Sequence, residues 1–406
     1  MATRSAERLR PMRMLDRRLV QTLCGLPAPY TARQGMLLGG DAMIYLRYYF
    51  ANVLTAVGIG GFLLGGGYVW LGAATILAVL FGDLLLGRDQ RPREGEPSPL
   101  ADLPLYLHVL LTVGLYLAMA WRVGQGLGAH SAVGLAAILA GGMLTLGWLS
   151  AIPNVPVAHE LGHRQGALPQ FLADLLAVFF GDPSRWVSHN LGHHIKVSTA
   201  DDTDTPRRGE TVYRFVWRAT TGALHEALAA ERTRLERSER GQWSVRHRLV
   251  RGMLMAAAAA LPVVALGGFG ALALAVAGVV VAKVITEGLN YLQHYGLIRI
   301  PGTPVEDRHA WNHLWTVTRA VAVEITTHSQ HHQNSDVTFT RLEPRTNAPQ
   351  MPGAALCFVA AFMPPLWERY IAKPRLRDWD LHQANAAEQA LARAANRLAG
   401  WPDWLA

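Results

Sequence analysis

Cysteine is almost missing from this chain: Cys24 and Cys357 are the only two in 406 residues, they lie far apart, and no CxxC pair occurs. A disulfide framework and a thiolate metal site are both excluded, so any metal chemistry must rest on nitrogen and oxygen ligands. A nucleotide-binding glycine pattern and a flavin motif are also lacking, and with them any means of drawing electrons directly from NAD(P)H. Acidic residues are in deficit, 30 Asp and Glu against 38 Lys and Arg, for a net charge of +8. No basic helix with interleaved aromatics accompanies that surplus, so nucleic acid is not an expected partner. The arginines near the N-terminus have no adjacent apolar stretch with a small-residue cleavage site, and no removable signal peptide is expected.

What is abundant is apolar sequence, 50% of the chain, gathered into runs long enough to cross a bilayer. These predict an all-α integral membrane protein with six transmembrane helices, at about 45–66, 68–87, 103–121, 132–152, 249–267 and 269–289. The first and last pairs read as hairpins. An even number of spans puts both termini on one side. Arg4, Arg8, Arg10, Arg13, Arg17 and Arg18, the 88–102 loop, the 153–248 segment and the C-terminal third hold nearly all the basic residues, while the opposite loops offer little beyond Arg122. The positive-inside rule makes the basic side cytoplasmic and the expected location the inner membrane. The charge is thus chiefly a topology signal, with anionic headgroups or an acidic partner as secondary readings.

The expected organisation is a basic cytoplasmic N-terminus over 1–42, a membrane domain over 43–380 whose cytoplasmic cap comprises mainly 153–248 and 290–373, and a C-terminal surface helix over 381–406. The charged stretch from Leu224 to Arg248 and the segment Pro374 to Leu398 both read as helices at the membrane surface.

Histidine is the residue that carries chemistry. His159 and His163 stand in HELGH, His189, His193 and His194 in HNLGHH, His328, His331 and His332 in HSQHH, and His294 in NYLQHYGL. Neutral imidazole suits iron, zinc and copper, and spacings of three or four residues place two rings on one helical face. All of these boxes are expected outside the apolar runs, after the fourth or sixth span. HELGH also satisfies HExxH, the pattern of zinc metalloproteases in which the glutamate is general base. One zinc needs three protein ligands and would leave most of these rings unused, whereas nine imidazoles suffice for two metal ions. A metal transporter or sensor would carry its histidines along the spans, and these do not. A di-metal oxygenase accounts for the excess: the metals need firm ligands and open positions, apolar substrate can arrive from the bilayer, and electrons can arrive from a soluble donor.

The strings His159-Glu160-Leu161-Gly162-His163-Arg164, Ser188-His189-Asn190-Leu191-Gly192-His193-His194, Asn290-Tyr291-Leu292-Gln293-His294-Tyr295-Gly296-Leu297 and His328-Ser329-Gln330-His331-His332 resemble the signatures of the membrane-bound non-haem di-iron alkane monooxygenases, within the wider fatty acid desaturase-like superfamily. Supporting matches are Asp83 to Gly87 (DLLLG), Gly209-Glu210, Trp311-Asn312 and Met363 to Trp367 (MPPLW), so the similarity runs from about 40 to 380. The resemblance implies that all nine histidines bind two iron ions, that O2 is the oxidant, and that an unactivated carbon, the terminal methyl of an alkane or similar apolar chain, is hydroxylated. It also implies electron supply by a rubredoxin or ferredoxin with its reductase, here as a separate protein because the chain has no CxxC. An acyl-lipid or fatty acid desaturase, or a hydroxylase of another hydrophobic substrate, remains the alternative on the same scaffold, although desaturases more often show HxxHH than the spacing of His189 to His194.

Three positions depart from the family pattern by losing a carboxylate: Ser188 and Gln293 stand where Glu is common, and Gln330 where Asp is. Carboxylates beside ligating imidazoles orient them and raise their basicity. Their loss opens the way to a divergent branch with another apolar substrate. Glu160, Asp336 and Glu324, with Asn290 and Gln293, are the candidates to support the ligands instead. Asp83 and Lys283 are read either as functional charges at membrane depth or as packing and snorkelling residues. His108 and His130 are expected to pack, His309 and His313 to lie at the surface or line the site, and His225, His247 and His382 to be solvated.

Overall fold

The computed structural model describes residues 45–93, 95–129, 131–237 and 246–406. The basic N-terminus, Cys24 and His130 lie outside the described residues. The described chain is helical throughout. It contains no β-strand, only isolated bridges between Arg88 and Trp315 and between Asn312 and Gln350.

The first hairpin joins α1 (Tyr49–Leu64) to α2 (Leu71–Leu86) through a 3-10 turn over Gly66–Trp70. Gly65 makes the reversal at φ 76°, ψ −170°, a region open essentially to glycine alone. Two serines start the next pair: Ser98 caps α3 (Pro99–Gly124) and Ser131 caps α4 (Ala132–Ala151), each accepting a backbone N–H one turn on. After α4 the helix barely pauses before α5 (Asn154–His163), so that Ala132–His163 forms one 32-residue apolar segment. The helix outlasts its apolar run, and HELGH is therefore the end of a span rather than part of a loop beyond it.

The last segment, α9 (Arg248–His294), is 47 residues long and is broken at Gly268 by φ 66°, ψ −168°, nearly the dihedrals of Gly65. Its two arms run back alongside each other. Gly252 in the first arm lies against Pro183, while Lys283 in the second bonds the neighbouring Asp182 at 2.7 Å. The second arm packs tightly on α4, with Gly147 facing Val281 and Gly278 facing Leu146, the small-residue contact that helices use inside membranes.

Among the described residues, four helical segments, Gly66–Leu86, Pro99–Gly124, Ala132–His163 and Arg248–His294, are long and apolar enough to cross a membrane. The expected count of six is not reproduced by that measure. The first expected span forms as the 16-residue α1, and the fifth and sixth are the two arms of α9.

Further helices cover one end of this bundle: α6 (Ala167–Phe179), α7 (Arg185–Ser188), α8 (Val212–Glu236), α10 (Thr316–Val321), α11 (His328–Gln333) and α12 (Ala354–Ala361). Asp83, at the end of α2, accepts the backbone N–H groups of Val317 and Thr318 at 2.9 and 3.0 Å and so caps α10. The expected helix over 374–398 is two, α13 (Lys373–His382) and α14 (Ala386–Leu398), because Asn385 and Glu388 form a capping box that starts a new helix. Neither simply lies on the surface. Asp380 and Asn396 are fully buried and hold the Arg208 guanidinium at 2.6 to 2.8 Å.

Candidate metal centre

Each histidine box takes its geometry from its helix. His159 and His163 share one face of α5, with ring centroids 4.6 Å apart. The second box follows α7 as a π-helical turn over His189–His193, which leaves the His189 and His193 rings stacked at 5.2 Å. HSQHH forms α11, and His294 is the last residue of α9. These four ends converge.

Two groups result, His159, His163, His189, His194 and His331 in one, and His193, His294, His328 and His332 in the other, with the ligand atoms of each group within 4.8 Å of one another. Consecutive residues of a helix point about 100° apart, which is why each HH pair is divided: His193 and His194 serve different groups, as do His331 and His332. The groups adjoin where His194 of the first lies 4.8 Å from His332 of the second, centroid to centroid.

The donor set fits metal ions. In the first group the Nε2 atoms of His159 and His194 lie 3.0 and 3.1 Å from that of His189. In the second, those of His294 and His332 lie 2.9 and 3.0 Å from that of His328. Ring nitrogens bonded to one metal at roughly 2.0–2.1 Å stand about 3 Å apart when adjacent. His163 Nε2, His189 Nδ1, His294 Nδ1, His331 Nε2 and His332 Nδ1 are buried without a hydrogen-bond partner. Burial first, then the neighbouring imidazoles, push His189, His331 and His332 well below the usual histidine range and His328 down to about 3. Neutral rings are the form that ligates.

His193 differs. Burial disfavours its charge, but the Asp202 carboxylate outweighs that and raises its pKa. His193 Nδ1–H donates to Asp202 Oδ2 at 2.9 Å, and the same oxygen accepts from Thr205 Oγ1 at 2.6 Å. Nε2 is thereby left as the free donor. His328 is oriented likewise, through Nδ1–H to the Ile325 carbonyl at 3.1 Å.

Comparison with known proteins gives this geometry a family. Residues 134–361, more than half the chain, match the fatty acid desaturase family model. The hydroxylase component of xylene/toluene monooxygenase from Pseudomonas putida is 42% identical over 359 residues, covering 88% of this chain and 96% of that one. The chain belongs to the fatty acid desaturase family. Alkane 1-monooxygenase 1 of Alcanivorax borkumensis is 29% identical across 77% of the chain and 80% of its own length, and the alkane 1-monooxygenase of Acinetobacter baylyi 31% identical across 60% and 61%. Within the family the protein is thus a membrane monooxygenase, an oxidoreductase rather than a protease.

Beside the histidines this desaturase-family chain has a partly open, largely apolar cavity. Val79, Trp148, Ile152, Val155 and Phe358 line it, and His159, His189, His193 and His328 stand in its wall. Gln293 and His313 also border it. The three positions that lost a carboxylate make no hydrogen bond to a ligand ring. Ser188 Oγ donates to the Arg185 carbonyl at 3.2 Å, Gln293 offers its backbone carbonyl to Trp311 N at 2.9 Å, and Gln330 Oε1 accepts from Glu343 N.

The expected supporting carboxylates are distributed unevenly. Asp336 shares a polar pocket with His163 and Glu160. Glu160 is bound by Arg164 at 3.0 Å and is not poised as a free base, and Glu324 pairs with Arg93 and Arg319, away from the rings. Asn290 bridges Glu287 and Arg185 at 2.9 and 3.1 Å. Lys283 completes that buried cluster by pairing Asp182 and Glu287 at 2.7 and 2.6 Å. Asp202, which does hold a ring, is one of three aspartates that trail the second box, Asp201, Asp202 and Asp204, and its only signal in the sequence is its place nine residues beyond His193. Of the two readings given for His309 and His313, His313 borders the cavity and bonds the Pro352 carbonyl at 2.8 Å, while His309 is buried against Glu388 at 2.8 Å; His247, expected in solvent, is buried. His108 packs in the core, while His225 and His382 are exposed as expected.

Proposed function

We propose that the protein hydroxylates a methyl carbon of a hydrocarbon with O2 at two irons, one held by His159, His163, His189, His194 and His331 and the other by His193, His294, His328 and His332. The observation that carries this reading is an apolar cavity that ends on four of the nine histidines. Bound iron supplies the oxygen activation that a C–H bond of this strength demands. The protein does the rest. Val79, Ile152, Val155 and Phe358 hold an apolar chain or ring against the histidines and keep water away. Asp202 keeps the His193 proton on Nδ1 and so keeps Nε2 available.

Alkylbenzenes are placed first among substrates. The relative at 42% identity is named for xylene and toluene, the alkane enzymes reported above stand at 29 and 31%, and the lost carboxylates at 188, 293 and 330 set this chain apart from the alkane pattern. Electrons come from a separate rubredoxin or ferredoxin with its reductase. The histidine cap faces the cytoplasm across the inner membrane, as the basic residues indicate. Whole cells supplied with alkylbenzenes, alkanes and fatty acids test the reading by mass spectrometry of the products. Benzylic alcohols are expected. Terminal alcohols from alkanes alone would move the substrate to alkanes, new double bonds would make the protein a desaturase, and no oxidation despite bound iron and a reducing partner would overturn the assignment.

A further inference from the structure

Two further cavities lie along the flank formed by α3, α6 and the first arm of α9. One is an apolar groove with no charged side chain in its wall, lined by residues including Val113, Leu117, Phe171, Leu175, Met255 and Pro262. The other is a polar cleft at the end of that groove, walled by Arg234, Arg246, Arg248 and Arg251 together with Asp174. The two are continuous along two helices: Arg251 precedes Met255 by one turn of α9, and Asp174 adjoins Leu175 on α6.

Arg251 lies 3.4 Å from Asp174, while Glu231 is shared by Arg234 at 2.7 Å and Arg248 at 3.9 Å. The Arg248 and Arg251 side chains stay 41 and 50% exposed. They stand at the first residues of a membrane-spanning segment, the depth at which lipid phosphates lie. A basic end on an apolar groove, set at that depth, has the charge and shape of a single lipid molecule.

We infer that this composite cavity binds one anionic phospholipid, with an acyl chain in the groove and the phosphate between Arg248 and Arg251. A soluble acidic protein could cover the arginines, but it would leave the groove unfilled. The cleft wall also includes Trp186 and Asn190, and the Trp186 ring lies 6.3 and 6.2 Å from His159 and His189. A bound headgroup therefore buttresses the segment that carries the second histidine box, whatever those histidines hold.

The test uses the full chain in neutral detergent. Native mass spectrometry counts retained lipid while phosphatidylglycerol and phosphatidylcholine of the same acyl chains are titrated, and thermal unfolding is followed in parallel. One phosphatidylglycerol should be retained in preference to phosphatidylcholine and should raise the unfolding temperature. Arg248→Gln with Arg251→Gln should weaken retention roughly 30-fold, at about 1 kcal/mol for each arginine. Ala258→Trp, which fills the groove and leaves the arginines intact, should also abolish the preference, so the result does not hang on one variant. Equal retention of both lipids, or a preference that survives both variants, would overturn the site. So would full displacement by inorganic phosphate, which would make it a simple anion site, or displacement by an acidic rubredoxin, which would make the cleft a protein-docking surface.

Discussion

Asp202 and His193 illustrate how one hydrogen bond sorts nine similar side chains. A carboxylate behind a ligating imidazole fixes its tautomer and raises its basicity, and losing one typically costs 10–100-fold in metal affinity. Asp202→Asn should therefore release metal from the four-histidine group at chelator concentrations that leave the five-histidine group loaded, with Asp202→Glu restoring part of the retention. Metal analysis after graded chelator treatment reads this directly, and unchanged retention in Asp202→Asn would remove the residue from the centre. His294 supplies the other test at this scale. It is fully buried, and its Nε2 lies 2.9 Å from that of His328. His294→Ala should lower iron content as severely as the loss of any box histidine.

At the level of elements, the glycine reversals at Gly65 and Gly268 decide where helices fold back. Gly268 occupies dihedrals that cost an L-residue roughly 1–3 kcal/mol. Gly268→Ala should lower stability by about that much. Gly60 is helical, and a Cβ there meets nothing within 4 Å, so Gly60→Ala should be neutral or slightly stabilising. Thermal unfolding of both variants in detergent separates backbone strain from a general intolerance of alanine. The junction between α9 and the C-terminal helices is equally specific: Arg208 binds the Gly296 carbonyl at 2.9 Å and is held by Asp380 at 2.6 and 2.7 Å, with all three groups away from solvent. Removing one partner of a buried pair leaves an uncompensated charge. Asp380→Ala should cost about 3–5 kcal/mol in the same assay and loosen the segment that begins at His294.

For the whole molecule, the decisive property is the meeting of a greasy bundle with a polar cap. The cavity lies at that junction, bounded by bundle residues such as Val79 and Trp148 and by cap residues such as Ile325 and Ala354. The sequence carries no nucleotide-binding glycine pattern, no flavin motif and no CxxC pair. NADH alone should fail to support turnover by the purified protein, while a rubredoxin or ferredoxin with its reductase should sustain it. Robust activity with NADH alone, measured as alcohol formed per chain, would contradict the proposed electron supply.

The family, the helical class and the nine histidines were legible from sequence because each rests on local pattern: apolar runs of spanning length, i and i+4 imidazoles, and short strings such as NYLQHYGL. The absence of CxxC pairs likewise pointed to nitrogen and oxygen ligands without a fold. Which histidines share a group could not be read, since it depends on four helix ends meeting and on the roughly 100° turn that divides each HH pair. Asp202 stayed hidden among its neighbours because a carboxylate supports a ring only when the chain between them folds back. Glu324 was misplaced for the converse reason, its carboxylate being taken by Arg93 and Arg319 from distant segments. His309 and His247 look solvated amid charged sequence and are buried by tertiary contacts. Local spacing determines which side chains a helix offers on one face; only the packed structure decides what stands opposite them.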